Sequence, residues 1–84
     1  MALVTLTPQA AKQLEALDNP IHGRVLRLLV RLEAWPDVSG AKRLTGGLAG
    51  RFRLRTGDYR VQFRARGERV TVDKIGHRDG FYDE

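Results

Sequence analysis

Two short segments near the middle of the chain alternate strictly between apolar and polar residues, with a glycine turn between them. Residues 51–55 read Arg-Phe-Arg-Leu-Arg, and residues 59–65 read Tyr-Arg-Val-Gln-Phe-Arg-Ala. Successive side chains of a β-strand point to opposite faces, so each segment is predicted to bury one face and expose an arginine-rich face. The pattern therefore demands a sheet whose apolar face is covered by other parts of the chain.

The turn chemistry predicts how these two strands pair. A type I′ turn at residues 56–57 would force β-branched Thr56 to positive φ, whereas a type II′ turn at Gly57-Asp58 needs positive φ only at glycine. The type II′ turn gives the following pairs: Arg55 with Arg60, Arg53 with Gln62 and Arg51 with Arg64 on one face, and Leu54 with Val61 and Phe52 with Phe63 on the other.

A second type II′ turn is predicted at Gly67-Glu68, followed by a strand over residues 69–75. The alternation fails along this strand, because Lys74 would face the core and Ile75 the solvent. A β-bulge near Asp73 would repair the pattern, and bulges often lie beside active sites.

The N-terminal half has helical periodicity. After a short strand over residues 3–6, Thr7 is predicted to cap a helix that ends near residue 17, and Asn19 to cap a second helix over about 20–34. Trp35 is expected to close the core where the second helix ends, before a connection that runs to residue 50. The apolar stripes of the helices are Ala10, Leu14 and Leu17, then Val25, Leu28, Leu29 and Leu32.

These elements predict one α+β domain over residues 1–84, in the order β-α-α-β-β-β. An antiparallel sheet of about four strands carries the two N-terminal helices on one face. A chain of 84 residues buries only roughly 60–65% of its unfolded surface, so a stabilising partner is plausible. No cysteine, secretory signal or membrane-spanning segment is present, so a cytoplasmic protein with no membrane partner is expected.

The net charge of +5 lies entirely in the second half of the chain. Residues 1–40 carry four basic and four acidic side chains, whereas residues 41–84 carry eleven basic and six acidic ones. A one-sided excess of arginine is typical of a surface that binds polyanions. A separate arginine stripe at positions 24, 27 and 31 is interpreted as the solvated face of the second helix.

Structure alone explains the paired arginines poorly. Like charges directly opposite each other destabilise a sheet by up to roughly 1 kcal/mol per pair, and such local conflicts tend to mark functional sites. A phosphate chain would relieve the repulsion, and the guanidinium group donates two parallel hydrogen bonds to phosphate. The sequence therefore favours polyanion binding over protection of a sheet edge.

Three motifs together resemble the RelE branch of the RelE/ParE toxin superfamily. They are Leu-Thr-Gly at 44–46, Arg-Phe-Arg-Leu-Arg-Thr-Gly-Asp-Tyr-Arg-Val at 51–61, and Ile-Gly-His-Arg at 75–78 followed by Tyr82. The resemblance covers essentially the whole chain. It implies the toxin of a type II toxin–antitoxin pair, which cuts messenger RNA in the ribosomal A site through attack of the 2′-hydroxyl on the adjacent phosphate.

The resemblance also implies which residues act. Its motif positions fall on Arg53, Arg60, Arg78 and Tyr82 as catalytic residues. Phosphate or RNA contacts are expected from Arg51, Arg55, Arg64 and His77. Partners would be a cognate antitoxin with an acidic, amphipathic segment, the ribosome and mRNA, with no metal and no cofactor.

The chain departs from the family pattern on the 51–55 strand, where arginine replaces lysine. Arginine stays protonated, which weakens the case for a general base there. Histidine is the side-chain type best suited to proton transfer near neutrality, but a histidine in a loop is the more frequent explanation of His77. Two alternatives therefore stay open: a ParE-like poison of DNA gyrase, and a catalytically weakened member that only binds antitoxin or RNA.

Overall fold

The computed structural model describes residues 1–48, 50–79 and 81, in which two helices pack on one face of a five-stranded sheet. The strand order in the sheet is β1-β5-β4-β3-β2. The elements are β1 (Leu3–Leu6), α1 (Pro8–Glu15), α2 (Ile21–Arg31), β2 (Lys42–Arg43), β3 (Arg51–Thr56), β4 (Tyr59–Arg66) and β5 (Arg69–His77). This confirms the predicted α+β class and the two-helix layer.

The β3–β4 hairpin has the predicted register at every pair. Arg55 lies opposite Arg60 and Leu54 opposite Val61, with the turn at Gly57-Asp58. Gly57 has φ +59°, and every described residue with positive φ is a glycine. The turn thus places the positive φ where no side chain opposes it, which is why the register follows from local sequence.

The predicted bulge lies in β5. Phe63 pairs with Val72 and Gln62 pairs with Lys74, so Asp73 is the extra residue on β5. The bulge restores the alternation, because Ile75 is buried and Lys74 moves to the arginine side of the sheet. The bulge therefore allows a strand whose alternation breaks at residues 73–75 to contribute to a continuous core.

Two contacts from α1 hold this bulge. The Thr7 hydroxyl donates to the Asp73 carbonyl at 3.2 Å and accepts from the Ala10 N–H at 3.1 Å, so one side chain caps α1 and binds the bulge. The Ile75 N–H donates to the Gln13 side-chain oxygen at 2.7 Å. The backbone groups that the bulge displaces from the ladder therefore find partners on the helix.

Three details differ from the sequence prediction. The sheet is mixed, because β1 pairs in parallel with β5, and it gains a short fifth strand where Lys42 pairs with Arg53. Pro20 takes the N-cap position of α2 and no side chain caps it, so Asn19 is not the cap. Each difference depends on which segments meet in space, which local patterns do not encode.

The core lies between the helices and the apolar face of the sheet. Val25 and Leu32 of the α2 region are fully buried, as are Val61 and Phe63 of β4. Trp35 closes one end with its ring edge-on to Phe63, the ring centroids 5.2 Å apart. The predicted apolar faces and the predicted place of the tryptophan are confirmed.

Candidate nucleic-acid interface

The side of the sheet away from the helices is called the basic face. Cross-strand pairing puts on it Lys42, Arg51, Arg53, Arg55, Arg60, Gln62, Arg64, Arg66, Arg69 and Lys74. Arg55 and Arg64 are exposed, whereas Arg51, Arg53 and Arg60 are half-buried. The five arginines expected on one face thus share it, with the accessible charge densest at the two hairpin ends.

The middle of the basic face contains an unsatisfied donor. Arg53 lies beside Gln62, which lies beside Lys74, in one row across three strands. Gln62 is only 4% exposed, and the Arg53 Nε is buried without a hydrogen-bond acceptor among the described residues. Burying a charged donor without a partner is costly, so a shift of the Arg53 side chain that brings this atom to the anionic oxygen of a ligand would be favourable.

The end of the basic face next to the β3–β4 turn gathers Arg55, Arg60 and Arg78. The Arg60 guanidinium donates to the Gly57 carbonyl at 3.3 Å, which ties it back to the turn. The Arg78 N–H donates to the Asp58 carbonyl at 2.7 Å, and its Nε lies 3.8 Å from one Asp58 carboxylate oxygen. Residue 78, at the end of β5, is therefore fixed beside the turn that carries Arg60.

His77 lies apart from the basic face. It pairs with Tyr59, on the strand side opposite to Arg60 and Gly76, and its ring meets the tyrosine edge-on at 5.2 Å. Its Nδ1 accepts from the Asp79 N–H at 3.1 Å, and its Nε2 lies 4.0 Å from an Asp58 carboxylate oxygen. The structure thus joins this histidine to two carboxylates rather than to the arginine rows.

The β-bulge partly neutralises the far part of the basic face. The Arg64 Nε donates to both carboxylate oxygens of Asp73 at 3.0 and 3.1 Å. The Asp73 side chain is only 15% exposed, so this ion pair is better shielded from solvent than most surface pairs. Of the predicted RNA-contacting arginines, Arg64 is therefore already engaged with a carboxylate.

A buried phenylalanine on the basic face was not anticipated. Phe81 is 2% exposed and packs over Gly76, where a Cβ would come within 3.3 Å of its ring. The Lys74 ammonium donates to the Phe81 carbonyl and lies 4.8 Å from its ring centroid. The ring packs directly against the glycine of the Ile-Gly-His-Arg motif, which has no side chain to obstruct it. A glycine between two strand residues is a sequence signal for such a close approach.

Tyr82, the remaining predicted catalytic residue, lies outside the described residues. Within the described part of the chain there is no group of three His, Asp or Glu side chains that could hold a metal ion. No helix there is long and apolar enough to cross a membrane.

A two-helix layer on a five-stranded sheet with an arginine-rich face is the architecture that the comparisons with known proteins place in a family. Residues 4–80 match the family described as the ParE toxin of type II toxin–antitoxin systems. The chain therefore belongs to this family, within the RelE/ParE superfamily that its motifs resemble. No curated protein sequence gives a significant match.

Solved structures of toxins share the fold. The toxin–antitoxin complex RelBE2 from Mycobacterium tuberculosis matches with a TM-score of 0.79 and 27% identity, over 90% of each chain. The isolated RelE toxin of E. coli gives 0.76 and 16% identity, over 92% of this chain and 84% of that one. A YoeB/ParE toxin from Agrobacterium tumefaciens gives 0.75 and 21%, over 92% and 98%. The last two similarities establish the fold alone.

Proposed function

We propose that this toxin is a ribosome-dependent endonuclease that cuts messenger RNA in the ribosomal A site. The observation that carries the proposal is the centre of the basic face, where the buried Nε of Arg53 finds no acceptor in residues 1–48, 50–79 and 81. It lies between two rows of facing arginines, Arg55 with Arg60 and Arg51 with Arg64. A phosphodiester in this place would satisfy the donor and relieve the like-charge repulsion together.

The reaction needs no group from outside the RNA and the protein. The 2′-hydroxyl attacks the adjacent phosphorus and loses its proton, the bond to the 5′-oxygen breaks, and that oxygen takes up a proton. The products are a 2′,3′-cyclic phosphate and a 5′-hydroxyl. Arg53, Arg60 and Arg78 would stabilise the extra negative charge of the pentavalent phosphate, because positive charges already present at the site offset the charge that develops in the transition state.

Proton transfer requires groups other than the arginines of the sheet. The arginines of β3 remain protonated and are unsuited to act as bases. Tyr82, which the resemblance of the motif assigns to the site, is the proposed partner for the phosphate or a neighbouring base. His77, held by Asp79 and near Asp58, has a secondary role at most in this proposal.

The test is cleavage in a purified translation system programmed with a reporter mRNA. We expect cuts within codons at the A site, new 5′-hydroxyl ends, and no cutting of the same RNA without ribosomes. Stalled translation with intact mRNA would contradict the proposal.

A second candidate function is the poisoning of DNA gyrase. It is favoured by the family model itself, which is that of the ParE toxin and matches residues 4–80. The two candidates separate in one experiment, in which the same protein preparation is added to the translation system and to a gyrase supercoiling assay. Inhibited supercoiling with unaffected translation would replace the first candidate by the second.

We also propose a cognate antitoxin as the physiological partner. The solved toxins of similar fold include toxin–antitoxin complexes from Mycobacterium tuberculosis and Methanococcus jannaschii. In this chain the exposed apolar side chains of Leu26 and Val30 on α2 and of Leu3 on β1 would receive the apolar part of an antitoxin segment. Its acidic part would bind the basic face, which its charge complements.

A further inference from the structure

The β4–β5 hairpin carries a pair of arginines that the proposed active site does not use. Arg66 and Arg69 lie directly opposite each other, in the last pair before the turn that begins at Gly67. Both are exposed. This is a fourth like-charge pair on the basic face, after Arg55–Arg60, Arg51–Arg64 and Lys42–Arg53, and it lies at the end away from the β3–β4 turn.

The charge of this pair is not compensated. Asp73 is occupied by Arg64, with 3.0 Å between the Arg64 Nη2 and a carboxylate oxygen. In the described ranges neither Arg66 nor Arg69 has an ion pair or a side-chain hydrogen bond, although Glu68 lies between them in sequence. The Arg64–Asp73 pair thus divides the basic face into two positive regions.

A cleft of about 360 Å³ opens at this second region. Its lining includes Arg66 and Arg69 together with Arg64, the Thr71 hydroxyl and the backbone of Gly50. Ala65 is the only side chain of the lining that is wholly apolar. The cleft can therefore hold a charged group with its attached sugar.

We propose that this cleft is a second anion-binding subsite, which takes a backbone phosphate of the same RNA strand a few nucleotides from the scissile phosphate. Arg60 and Arg66 are six residues apart on one strand, or about 20 Å, so one phosphate cannot contact both. A strand laid along β4 would meet the two regions in turn, with the neutralised Arg64 between them. The inference rests on the proposed RNA-cleaving function.

An acidic segment of a protein partner is the competing occupant. The antitoxin segment expected for this class needs an apolar surface as well as a positive one. The exposed apolar side chains Leu26 and Val30 belong to α2, which packs on the other face of the sheet, whereas Leu3 pairs with Arg69 beside the cleft. The paired guanidinium groups, which have no carboxylate partner among the described residues, fit repeated phosphates better.

The test uses 2′-O-methyl RNA, which cannot be cut, in two lengths. The short oligonucleotide covers only the end with Arg53 and Arg60, and the long one spans the whole basic face. We expect Arg66→Ala with Arg69→Ala to abolish the affinity advantage of the long RNA and to leave binding of the short RNA unchanged. The salt dependence for the long RNA should fall by roughly 0.7 in slope for each phosphate that the variant no longer binds.

The matched control removes Arg24 and Arg27 on α2, which are equally exposed and take away the same two charges. An equal loss of affinity in the control and in the double variant would overturn the subsite, since it would show a general effect of charge. The subsite would also be overturned if the double variant bound a poly-glutamate peptide more weakly but bound the long RNA as tightly as the wild-type protein. Melting temperatures identify a folding defect, and Arg66→Gln with Arg69→Gln then replaces the alanine pair.

Failure of the subsite and failure of the proposed activity give different results. If the wild-type protein cuts mRNA on ribosomes and the double variant still binds the long RNA more tightly than the short one, the subsite alone is overturned. If the wild-type protein binds the long RNA more tightly, the double variant does not, and the wild-type protein cuts no mRNA, the endonuclease activity alone is overturned.

Discussion

Arg60 is hydrogen-bonded to the β3–β4 turn and lies next to another positively charged side chain. It faces Arg55 across the hairpin, and within the described residues its side chain hydrogen-bonds only to the turn carbonyl of Gly57. Replacing it by alanine should therefore cost the fold little or relieve repulsion. In the proposed reaction the same change should raise the barrier by about 2.7–4 kcal/mol, or about a hundred- to a thousandfold in rate.

The measurement for Arg60→Ala is single-turnover cleavage on ribosomes, beside the melting temperature. Arg78→Ala is expected to behave in the same way, and Arg27→Ala on the exposed side of α2 is the control. An Arg60→Ala, Arg78→Ala double variant that melts normally and still cleaves at the wild-type rate would remove both residues from the site.

His77 provides a separate test at the residue scale. Its pairing with Tyr59 sets it on the opposite side of the strand from Arg60, and Asp79 occupies its Nδ1. We expect His77→Ala to keep the shape of the pH–rate profile near neutrality. A loss of about 10²–10⁴ in rate together with a lost titration would instead make this histidine the proton-transfer group.

At the scale of elements, β5 and the segment after it interlock through Gly76 and Phe81. A Cβ at position 76 would approach the Phe81 ring to 3.3 Å, so Gly76→Ala should cost about 1–3 kcal/mol through overpacking. In a chain that already carries Phe81→Ala, the change Gly76→Ala should no longer lower the free energy of unfolding, because the new Cβ then has no ring to clash with. Denaturant unfolding of the two single variants and the double variant measures this coupling.

Gly47→Ala is the control for that cycle, because a Cβ there meets nothing within 4 Å. Additive losses of stability in the double variant would mean that the ring does not rest on Gly76. The cycle therefore tests whether the glycine of the Ile-Gly-His-Arg motif serves to seat the ring.

The contact between α1 and the bulge makes another prediction. Gln13→Leu removes the acceptor of the Ile75 N–H, and leaving that group unpaired should lower the free energy of unfolding by about 1–3 kcal/mol. Gln9→Leu changes an exposed residue of the same helix and should have little effect. Hydrogen exchange at Ile75 should quicken in the first variant, and unchanged protection there would show that the helix does not hold the bulge.

At the scale of the molecule, the uneven charge governs association. The net charge of +5 comes wholly from residues 41–84, and most of those basic side chains share one face of the sheet. We expect the affinity for an antitoxin encoded by the adjacent gene to fall steeply from low to high ionic strength, because salt screens exposed charges. Isothermal titration at several salt concentrations measures it. A constant affinity would place the antitoxin on the apolar side chains of α2 instead.

The sequence by itself determined which side chains lie on each face of the sheet. Alternation assigned Leu54 and Val61 to the core and Arg53 to the other face, the Gly57 turn fixed the hairpin register, and the misplaced Lys74 indicated the bulge. These features are local, because side-chain direction repeats every second residue and a turn constrains only its own φ angles.

Only the tertiary structure decided which distant segments meet. The parallel pairing of β1 with β5, the Gln13 contact to Ile75 and the seat of Phe81 on Gly76 join residues that no periodicity relates. It also paired Arg64 with Asp73 and put His77 beside the Asp58 carboxylate that Arg78 approaches, although Arg64 and His77 had been expected to contact phosphate or RNA. Such contacts follow from how the helices and sheet bury their apolar surfaces together, which depends on the whole chain at once.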